Sequence, residues 1–346
     1  MRLHVHTANL GLRAAALATA LALSACSSLS PASPKPVAAA STPGATPSGP
    51  TPPLKVGIAL GGGAAKGFAH IGVIKMLEAN GYAPAVVAGT SAGSIVGALY
   101  ASGMNAFELQ EKAVALDEAR IRDLQLSSSG LLVGQKLEDY VNDQVRQQPL
   151  ERLSKPFVAV ATRLEDGERT VFARGNTGQA VRASSSVPGV FQPAAIGRYR
   201  FVDGAVVSPV PVDAARELGA DLVIAVDISS KARGPAASGM LGTISQSITI
   251  MGQRLGQAEL ARADVVVRPQ VLDIAGTDFS QRANAILEGE RAALAAMPQI
   301  RERIAQLQAA REQSRLKAAE AQRQACLEQR TRLQKLAGLE SACSTP

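Results

Sequence analysis

Two short apolar segments, each followed at once by a glycine-containing turn and then by a helical pattern, constrain the fold most. Residues 56–60 precede the run Gly61-Gly62-Gly63, and residues 85–89 precede a second turn that also contains glycine. Short apolar runs bounded by turn residues are typical of strands that are buried on both faces. Because such strands alternate here with helices, the sequence predicts a mostly parallel sheet covered on both sides.

The same alternation continues through the middle of the chain. Further strands are predicted at 157–162, 170–172, 199–202, 222–228 and 265–267, and helices at 65–80, 92–100, 213–218 and 242–262. The strand pattern then ends, and residues 299–337 are rich in Ala, Gln, Arg, Glu and Leu, with opposite charges one turn apart. We therefore expect one globular domain at 54–283 and a C-terminal helical tail at 284–346. A solvated helix is the favoured interpretation of the tail, and a helix that binds a protein partner is the alternative.

The first 53 residues differ from the rest. Residues 1–25 carry Arg2 and Arg13, no acidic residue and a short apolar run, which is the pattern of an export signal. The sequence Leu-Ser-Ala-Cys ending at Cys26 resembles the lipobox of bacterial lipoproteins. This resemblance implies a lipid on Cys26 and, since Ser27 follows, the periplasmic face of the outer membrane; a plain secretory signal is the alternative. Residues 26–53, rich in Pro, Ser, Ala and Thr, predict a disordered tether.

Composition narrows the functional classes. The net charge is +7, but residues 299–346 hold nine Lys and Arg against five Asp and Glu, so the middle of the chain is nearly neutral. Aromatic residues make up only 3% and Trp is absent. A nucleic-acid partner is therefore not expected, since such proteins usually combine a basic face with aromatic stacking platforms. Cys326 and Cys343 form a candidate disulfide that spacing alone does not decide.

One serine has the setting of a nucleophile. Residues 89–93 match the elbow pattern Gly-x-Ser-x-Gly, with Ser91 between Gly89 and Gly93. The elbow is a sharp strand-to-helix turn that exposes the serine oxygen, and a predicted strand and helix flank this one. A serine that caps an ordinary tight turn is the alternative interpretation.

The earlier glycine run is a candidate oxyanion loop. Backbone N–H groups of Gly61-Gly62-Gly63 and of Ala92 could stabilise the charge that develops during ester hydrolysis, and Lys66 could add positive charge nearby. A phosphate-binding loop fits poorly. Lys66 occupies the position of the third glycine in a dinucleotide fingerprint, and Gly67 rather than Ser or Thr follows it.

Two residues are candidates for the base that activates Ser91. His70 is the one histidine beyond the predicted signal, and it falls inside the first predicted helix, where a structural role is favoured. Asp203, followed by Gly204, ends a predicted strand, where catalytic groups of α/β sheets cluster. A carboxylate can act as a base if it lies within hydrogen-bond reach of the serine, so both possibilities stay open at this point.

Together these motifs resemble the patatin-like phospholipase family over about residues 55–270. The resemblance is carried by the glycine run with its basic residue, the Gly-x-Ser-x-Gly motif, the Asp-Gly-Ala sequence at 203–205 and the Ala-Ser-Ser-Ser-Val-Pro stretch at 183–188. The resemblance implies a three-layer α/β/α fold with a mostly parallel central sheet and a dyad of Ser91 and Asp203 without histidine. It also implies an acyl-enzyme, membrane lipids as substrate, and no metal or cofactor. Lys66 departs from the family's usual Arg, and Ser208 from a common Asn.

These observations lead to one functional expectation and one alternative. We expect a lipid acyl hydrolase of the phospholipase A or esterase type, anchored in the bacterial cell envelope. The alternative is an envelope scaffold or binding lipoprotein whose hydrolase domain is vestigial, an idea that the long helical tail motivates.

Overall fold

The computed structural model describes residues 53–123, 132–231 and 239–337. The predicted export signal, Cys26 and nearly all of the predicted tether lie outside these ranges. Cys326 is disulfide-bonded, and both other cysteines of the chain lie outside the described residues. Within the described ranges, no helix combines the length and apolar character needed to cross a membrane.

One mixed sheet forms the centre of the domain. Its strands in the described chain are β1 (Val56–Leu60), β2 (Val86–Thr90), β3 (Phe157–Arg163), β4 (Arg169–Phe172), β5 (Ala194–Ile196), β6 (Tyr199–Asp203), β7 (Leu222–Val226) and β8 (Val265–Val267). Followed from one hydrogen-bonded neighbour to the next, the strands are β5-β6-β3-β2-β1-β7-β8, and β4 pairs with β3 beside this path. The pairs among β3, β2, β1, β7 and β8 are parallel, whereas the pairs that involve β4, β5 or β6 are antiparallel.

Helices cover both faces of this sheet. They are α1 (Ala69–Ala79), α2 (Ala92–Ala101), α3 (Ala106–Val114), α4 (Gln135–Gln144), α5 (Thr177–Ser184), α6 (Val212–Glu217), α7 (Gly239–Leu260) and α8 (Arg282–Ala337). Successive strand residues enter separate cores, as expected from the alternation of side chains along a strand. Ile58 packs in a core with residues of α1, α2 and α8, whereas Ala59 packs in a second core with residues of α6. The predicted three-layer α/β/α fold is confirmed.

The register of β3 brings two strand ends together. Ala159 pairs with Gly89 of β2 and with β4, and Ala161 pairs with Asp203 of β6 and with β4. Because a strand has two edges and β4 occupies one of them, β2 and β6 share the other. The last residue of β2, Thr90, pairs with Val160, immediately beside the partner of Asp203. The residue that follows β2 therefore meets the last residue of β6.

Helix α8 does not behave as a solvated tail over its whole length. Its first half belongs to the main core, where its buried apolar residues are Ala285, Ile286, Ala293, Met297, Ile300 and Ile304. Each large apolar side chain buried in this way contributes ~1.5–3 kcal/mol of stability. The domain therefore continues past the predicted boundary at residue 283, and most residues beyond Leu307 are exposed.

The contact between α1 and α8 is unusually close. A Cβ on Gly72 would lie 2.0 Å from the carbonyl oxygen of Ile286, and one on Gly289 would lie 2.0 Å from that of Ala69. Both glycines therefore allow the two backbones to touch. The polar composition of residues 299–337 concealed this packing, because the apolar residues of α8 that face α1 lie mostly before that stretch.

Candidate active site

Ser91 occupies a strained turn between β2 and α2. Its φ of 54° lies in the left-handed region, which residues other than glycine rarely adopt. The flanking glycines are required by close backbone contacts. A Cβ on Gly93 would lie 2.1 Å from the carbonyl oxygen of Leu60, and one on Gly89 would lie 2.5 Å from that of Gly93. This geometry accounts for both glycines of the Gly-x-Ser-x-Gly motif.

The Ser91 hydroxyl is bonded to a buried carboxylate. Its Oγ donates to Oδ2 of Asp203 at 2.6 Å, while Oδ1 of Asp203 accepts from the N–H of Ala205 at 2.8 Å. Ser91 and Asp203 are both buried, being 7% and 3% exposed. The structure thus brings together two residues that are 112 positions apart in the sequence.

Burial alters the basicity of Asp203. It raises the pKa of the carboxyl to about 6, and the hydrogen bonds from Ser91 and Ala205 oppose this rise only in part. The carboxylate is therefore ionised at neutral pH, yet is a stronger base than an ordinary aspartate. A base whose pKa lies near the working pH is favourable for proton transfer.

The stretch at 183–188 supports both members of this pair. Ser184 donates from its Oγ to the carbonyl of Val160 at 2.6 Å and accepts the N–H of Ser91 at 3.0 Å. The carbonyl of Ser186 accepts the N–H of Asp203 at 2.9 Å. Sequence reasoning noted this stretch as part of a resemblance but assigned no role to either serine.

Position 204 also requires glycine for a steric reason. A Cβ at this position would lie 2.1 Å from the carbonyl oxygen of Val160, so β6 can turn away beside β3 only without a side chain here. Thr162 secures the same corner, because its Oγ1 donates to the carbonyl of Asp203 at 2.9 Å. The chain after Asp203 forms a 3-10 turn at Gly204–Val206.

Not all of the backbone amides that were predicted to be oxyanion donors in the glycine loop are free. The N–H of Gly61 donates to the carbonyl of Val226 at 3.1 Å, and that of Gly62 to the carbonyl of Pro209 at 3.0 Å. These two amides hold the loop rather than facing an oxyanion, because the end of β1 remains bonded to its neighbours. Among the described residues, the N–H groups of Gly63 and Ala92 have no acceptor. They are the two predicted oxyanion donors that stay available.

The loop nevertheless passes directly over the serine. A Cβ on Gly62 would lie 3.2 Å from Cβ of Ser91 and 3.5 Å from that of Ala205. Ala64, the first residue of a 3-10 turn at Ala64–Phe68, has a φ of 52°. The predicted helix at 65–80 therefore begins as a 3-10 turn, which becomes the α-helix α1 only at Ala69.

Lys66 secures this loop from behind. It is 4% exposed, and its Nζ donates to Oγ of Ser230 at 2.6 Å. Burial lowers the pKa of Lys66, and the nearby carboxylate of Asp227 opposes that effect. The contact joins the 3-10 turn after the glycine loop to the segment that follows β7.

The hydrogen bond of the His70 ring is to Gly61 and not to Ser91. The ring is fully buried, and its Nε2 lies 2.8 Å from the carbonyl oxygen of Gly61. Because a carbonyl only accepts hydrogen bonds, Nε2 carries the proton of the neutral ring. Burial lowers the pKa of His70 to about 4, so the ring is neutral at physiological pH. The residue thus holds the first glycine of the loop.

The fold and this site together have the arrangement of α/β proteins that carry a serine at a nucleophile elbow. Residues 58–216 match the family model of the patatin-like phospholipases, and over this segment the chain is similar to that family. The matched segment contains the glycine loop, Ser91 and Asp203, and it ends before α7 and α8.

Individual relatives extend this result. An uncharacterized NTE family protein of Mycobacterium tuberculosis is 38% identical over 184 residues, which are 53% of this chain and 51% of that protein. Patatin-like phospholipase domain-containing protein 6 of Homo sapiens is 30% identical over 184 residues, 51% of this chain and 13% of that protein. The crystal structure of VipD from Legionella pneumophila aligns with a TM-score of 0.48 at 15% identity, covering 70% of this chain and 66% of that one. The match to the mycobacterial relative covers about half the length of that protein.

Proposed function

We propose that this protein hydrolyses acyl esters of lipids by means of a dyad of Ser91 and Asp203. The observation that carries the proposal is the 2.6 Å hydrogen bond between these side chains at the strained turn after β2. A carboxylate within hydrogen-bond reach of a hydroxyl can take its proton during nucleophilic attack. The engagement of His70 with Gly61 supports a dyad rather than a triad.

In the proposed reaction, Oγ of Ser91 attacks the acyl carbonyl carbon while its proton passes to Asp203. The N–H groups of Gly63 and Ala92 stabilise the oxyanion, and the second of these lies at the positive end of α2. Collapse of the intermediate breaks the ester bond, and the leaving alcohol takes the proton from Asp203. Water, activated by Asp203, then attacks the acyl-enzyme, releases the fatty acid and restores the serine.

A lipid substrate is supported by the family and by the surface of α7. The turn at Gly204–Val206 lies against this helix, since a Cβ on Gly252 would be 3.8 Å from the carbonyl oxygen of Ala205. Nearby on α7, Ile250, Met251 and Leu255 are between 40% and 54% exposed. Exposed apolar side chains beside an active site fit a substrate that carries acyl chains.

We also propose that a lipid on Cys26 holds the enzyme at the bacterial outer membrane, with its domain in the periplasm. The lipobox-like sequence before Cys26 and the Pro- and Ser-rich segment after it support this location. Metabolic labelling with an alkyne fatty acid, comparing wild type with Cys26→Ala, tests it. Label in both proteins, or in neither, would contradict the lipidation.

The central experiment uses a fluorophosphonate probe, which reacts covalently with activated serines. We expect the full chain to be labelled, Ser91→Ala to lose all label, and Ser102→Ala to keep it. Ser102 is a matched control because it lies at the other end of α2, where its Oγ donates to the carbonyl of Leu99. Each protein is then assayed on p-nitrophenyl esters and on phospholipid vesicles.

The outcomes separate the candidate functions. Label on Ser91 together with fatty acid release from vesicles supports a lipid acyl hydrolase. Turnover of soluble esters alone indicates an esterase with a different substrate. A folded wild-type protein with neither label nor turnover would contradict the proposal and favour the envelope scaffold.

A further inference from the structure

The segment Ser208-Pro209-Val210, which connects the turn after Asp203 to α6, contacts both of the elements that surround the serine. The carbonyl of Ser208 accepts from Oγ1 of Thr90 at 2.9 Å, immediately before Ser91. The carbonyl of Pro209 accepts from the N–H of Gly62 at 3.0 Å. This segment, called the brace below, therefore fixes the end of β2 and the middle of the glycine loop at once.

Two of the three donors of the brace point to one carboxylate, while the N–H of Ser208 donates to the carbonyl of Gly204 at 2.8 Å. Oγ of Ser208 donates to Oε1 of Glu259, and the N–H of Val210 donates to Oε2 at 2.8 Å. Pro209 has no N–H to offer. Glu259 lies in the last turn of α7 and is 6% exposed. It falls outside residues 58–216, the part of the chain that the family model matches.

A single peptide group transmits this contact to the loop. The carbonyl of Pro209 and the N–H of Val210 belong to the same planar unit, and in a trans peptide they point in opposite directions. Glu259 binds one end of the unit and Gly62 binds the other. A hydrogen bond to a carboxylate on the N–H side also polarises the carbonyl, which makes it a better acceptor.

We propose that Glu259 is a positioning residue that sets the place of the oxyanion loop through the peptide between Pro209 and Val210. It contacts neither the nucleophile nor the base, so its effect falls on stabilisation of the transition state and not on substrate binding. This inference rests on the proposed hydrolase function.

The carboxyl of Glu259 is buried, and its surroundings alter its pKa. Burial raises the pKa of the carboxyl, and the hydrogen bonds from Ser208 and Val210 oppose this rise. Asp213 adds to the rise and Arg262 opposes it, so that the pKa is about 7. Without the carboxyl, the hydroxyl of Ser208 and the N–H of Val210 would be buried donors without an acceptor, which is costly. Removal of these contacts should therefore displace the brace and, with it, the glycine loop.

The test compares Glu259→Ala, Glu259→Gln and Glu259→Asp with the control Gln257→Ala, all in the full chain. Gln257 is an exposed neighbour on the same helix. On p-nitrophenyl butyrate we expect Glu259→Ala to lower kcat ~30-fold, with KM within about twofold, since small displacements of catalytic groups cost this much. Fluorophosphonate labelling of Ser91 should slow to a similar extent.

The conservative variants separate positioning from general stability. Glu259→Gln keeps an oxygen for the N–H of Val210 and an NH₂ group for Ser208, so we expect its kcat within ~5-fold of wild type. Glu259→Asp keeps the charge but is one methylene short, and should lower kcat at unchanged KM even if Glu259→Ala does not fold.

Two results would overturn the inference. The first is an active wild type in which folded Glu259→Ala or Glu259→Asp keeps the kcat of Gln257→Ala and loses only melting temperature, which would mean a purely structural role. The second is a wild type without label or turnover, which removes the proposed function and this inference together. The two failures are distinguished by the wild-type assay.

Discussion

The two sides of the site are built in different ways. The Ser91 side is one continuous strand, turn and helix, and its steric requirements involve Gly89 and Gly93 within the same five residues. The Asp203 side depends on partners that are distant in sequence, among them Thr162 and Ser186. The glycines that shape the turn of the nucleophile thus stand in one local motif, although Leu60 and Ser184 also contact that turn, whereas the position of the base depends more on partners from elsewhere in the chain.

Removal of the base should have the largest effect. In Asp203→Asn the amide keeps the shape of the side chain but cannot take the proton from Ser91. We expect kcat on a soluble ester to fall ~10³-fold at similar KM, in line with the contribution of general bases. Retention of more than a tenth of wild-type activity would mean that the base lies elsewhere.

The steric requirements of each side can be compared by adding one methyl group. Gly93→Ala and Gly204→Ala each bring a Cβ within 2.1 Å of a carbonyl oxygen. We expect each to lower the free energy of unfolding by ~3 kcal/mol or more, because the backbone must shift. Gly252→Ala is the matched control, since its Cβ has 3.8 Å of room in a helix, where alanine is favoured.

Urea unfolding followed by circular dichroism measures these three variants. If Gly204→Ala alone were tolerated, the base side would be the more adaptable of the two. If neither variant lost stability, the close approaches would not be real constraints on the chain.

The raised pKa of Asp203 predicts opposite pH dependences of activity and stability. Activity should rise through about pH 6 as the carboxylate forms. The folded-state pKa lies above the ordinary value of 3.8, so the stabilising contribution of the proton is full below pH 3.8 and is lost as pH rises through about 6. At neutral pH we expect the wild type to be less stable than Asp203→Asn by about 3 kcal/mol.

Unfolding free energies of both proteins between pH 4 and pH 8 provide the measurement. A constant difference across this range would show that Asp203 keeps an ordinary pKa. A rate profile without an inflection near pH 6 would separately contradict its role as the base.

His70→Ala should have the smallest catalytic effect, because the ring contacts the carbonyl of Gly61 and not Ser91. We expect kcat to stay within ~10-fold of wild type, the range of a general base being larger. The same substitution should lower the melting temperature, since the ring is fully buried. Complete loss of turnover in a folded variant would instead favour a catalytic triad that includes His70.

The sequence was sufficient where contacts are local. The strands at 56–60 and 265–267 are found where they were predicted, because short apolar runs between turns leave few alternatives. Ser91 and Asp203 were selected from patterns of five and three residues. Their mutual bond could not be derived from spacing, because it depends on β2 and β6 sharing one edge of β3.

Other elements and contacts could not be predicted from the pattern of apolar and turn residues. The short strand β5 was not predicted, nor were α3, α4 and α5, whose segments are more polar than those of α1 and α2. Gly61 and Gly62 were expected to offer free amides, but whether an N–H is free depends on carbonyls of β7 and of the brace. Glu259 gave no signal, since a single acid in a helix is ordinarily exposed.

The contact of α8 with α1 has a consequence for the order of folding. Gly72 and Ile286 touch although more than two hundred positions separate them in the chain. During synthesis, the apolar face of α1 must wait for nearly the whole domain to emerge before its partner exists. Contacts of such long range slow folding and prolong exposure of apolar surface. A chain interrupted before residue 282 would leave Ile71 and Ile74 without part of their cover, and it is the product that quality-control proteases should recognise first.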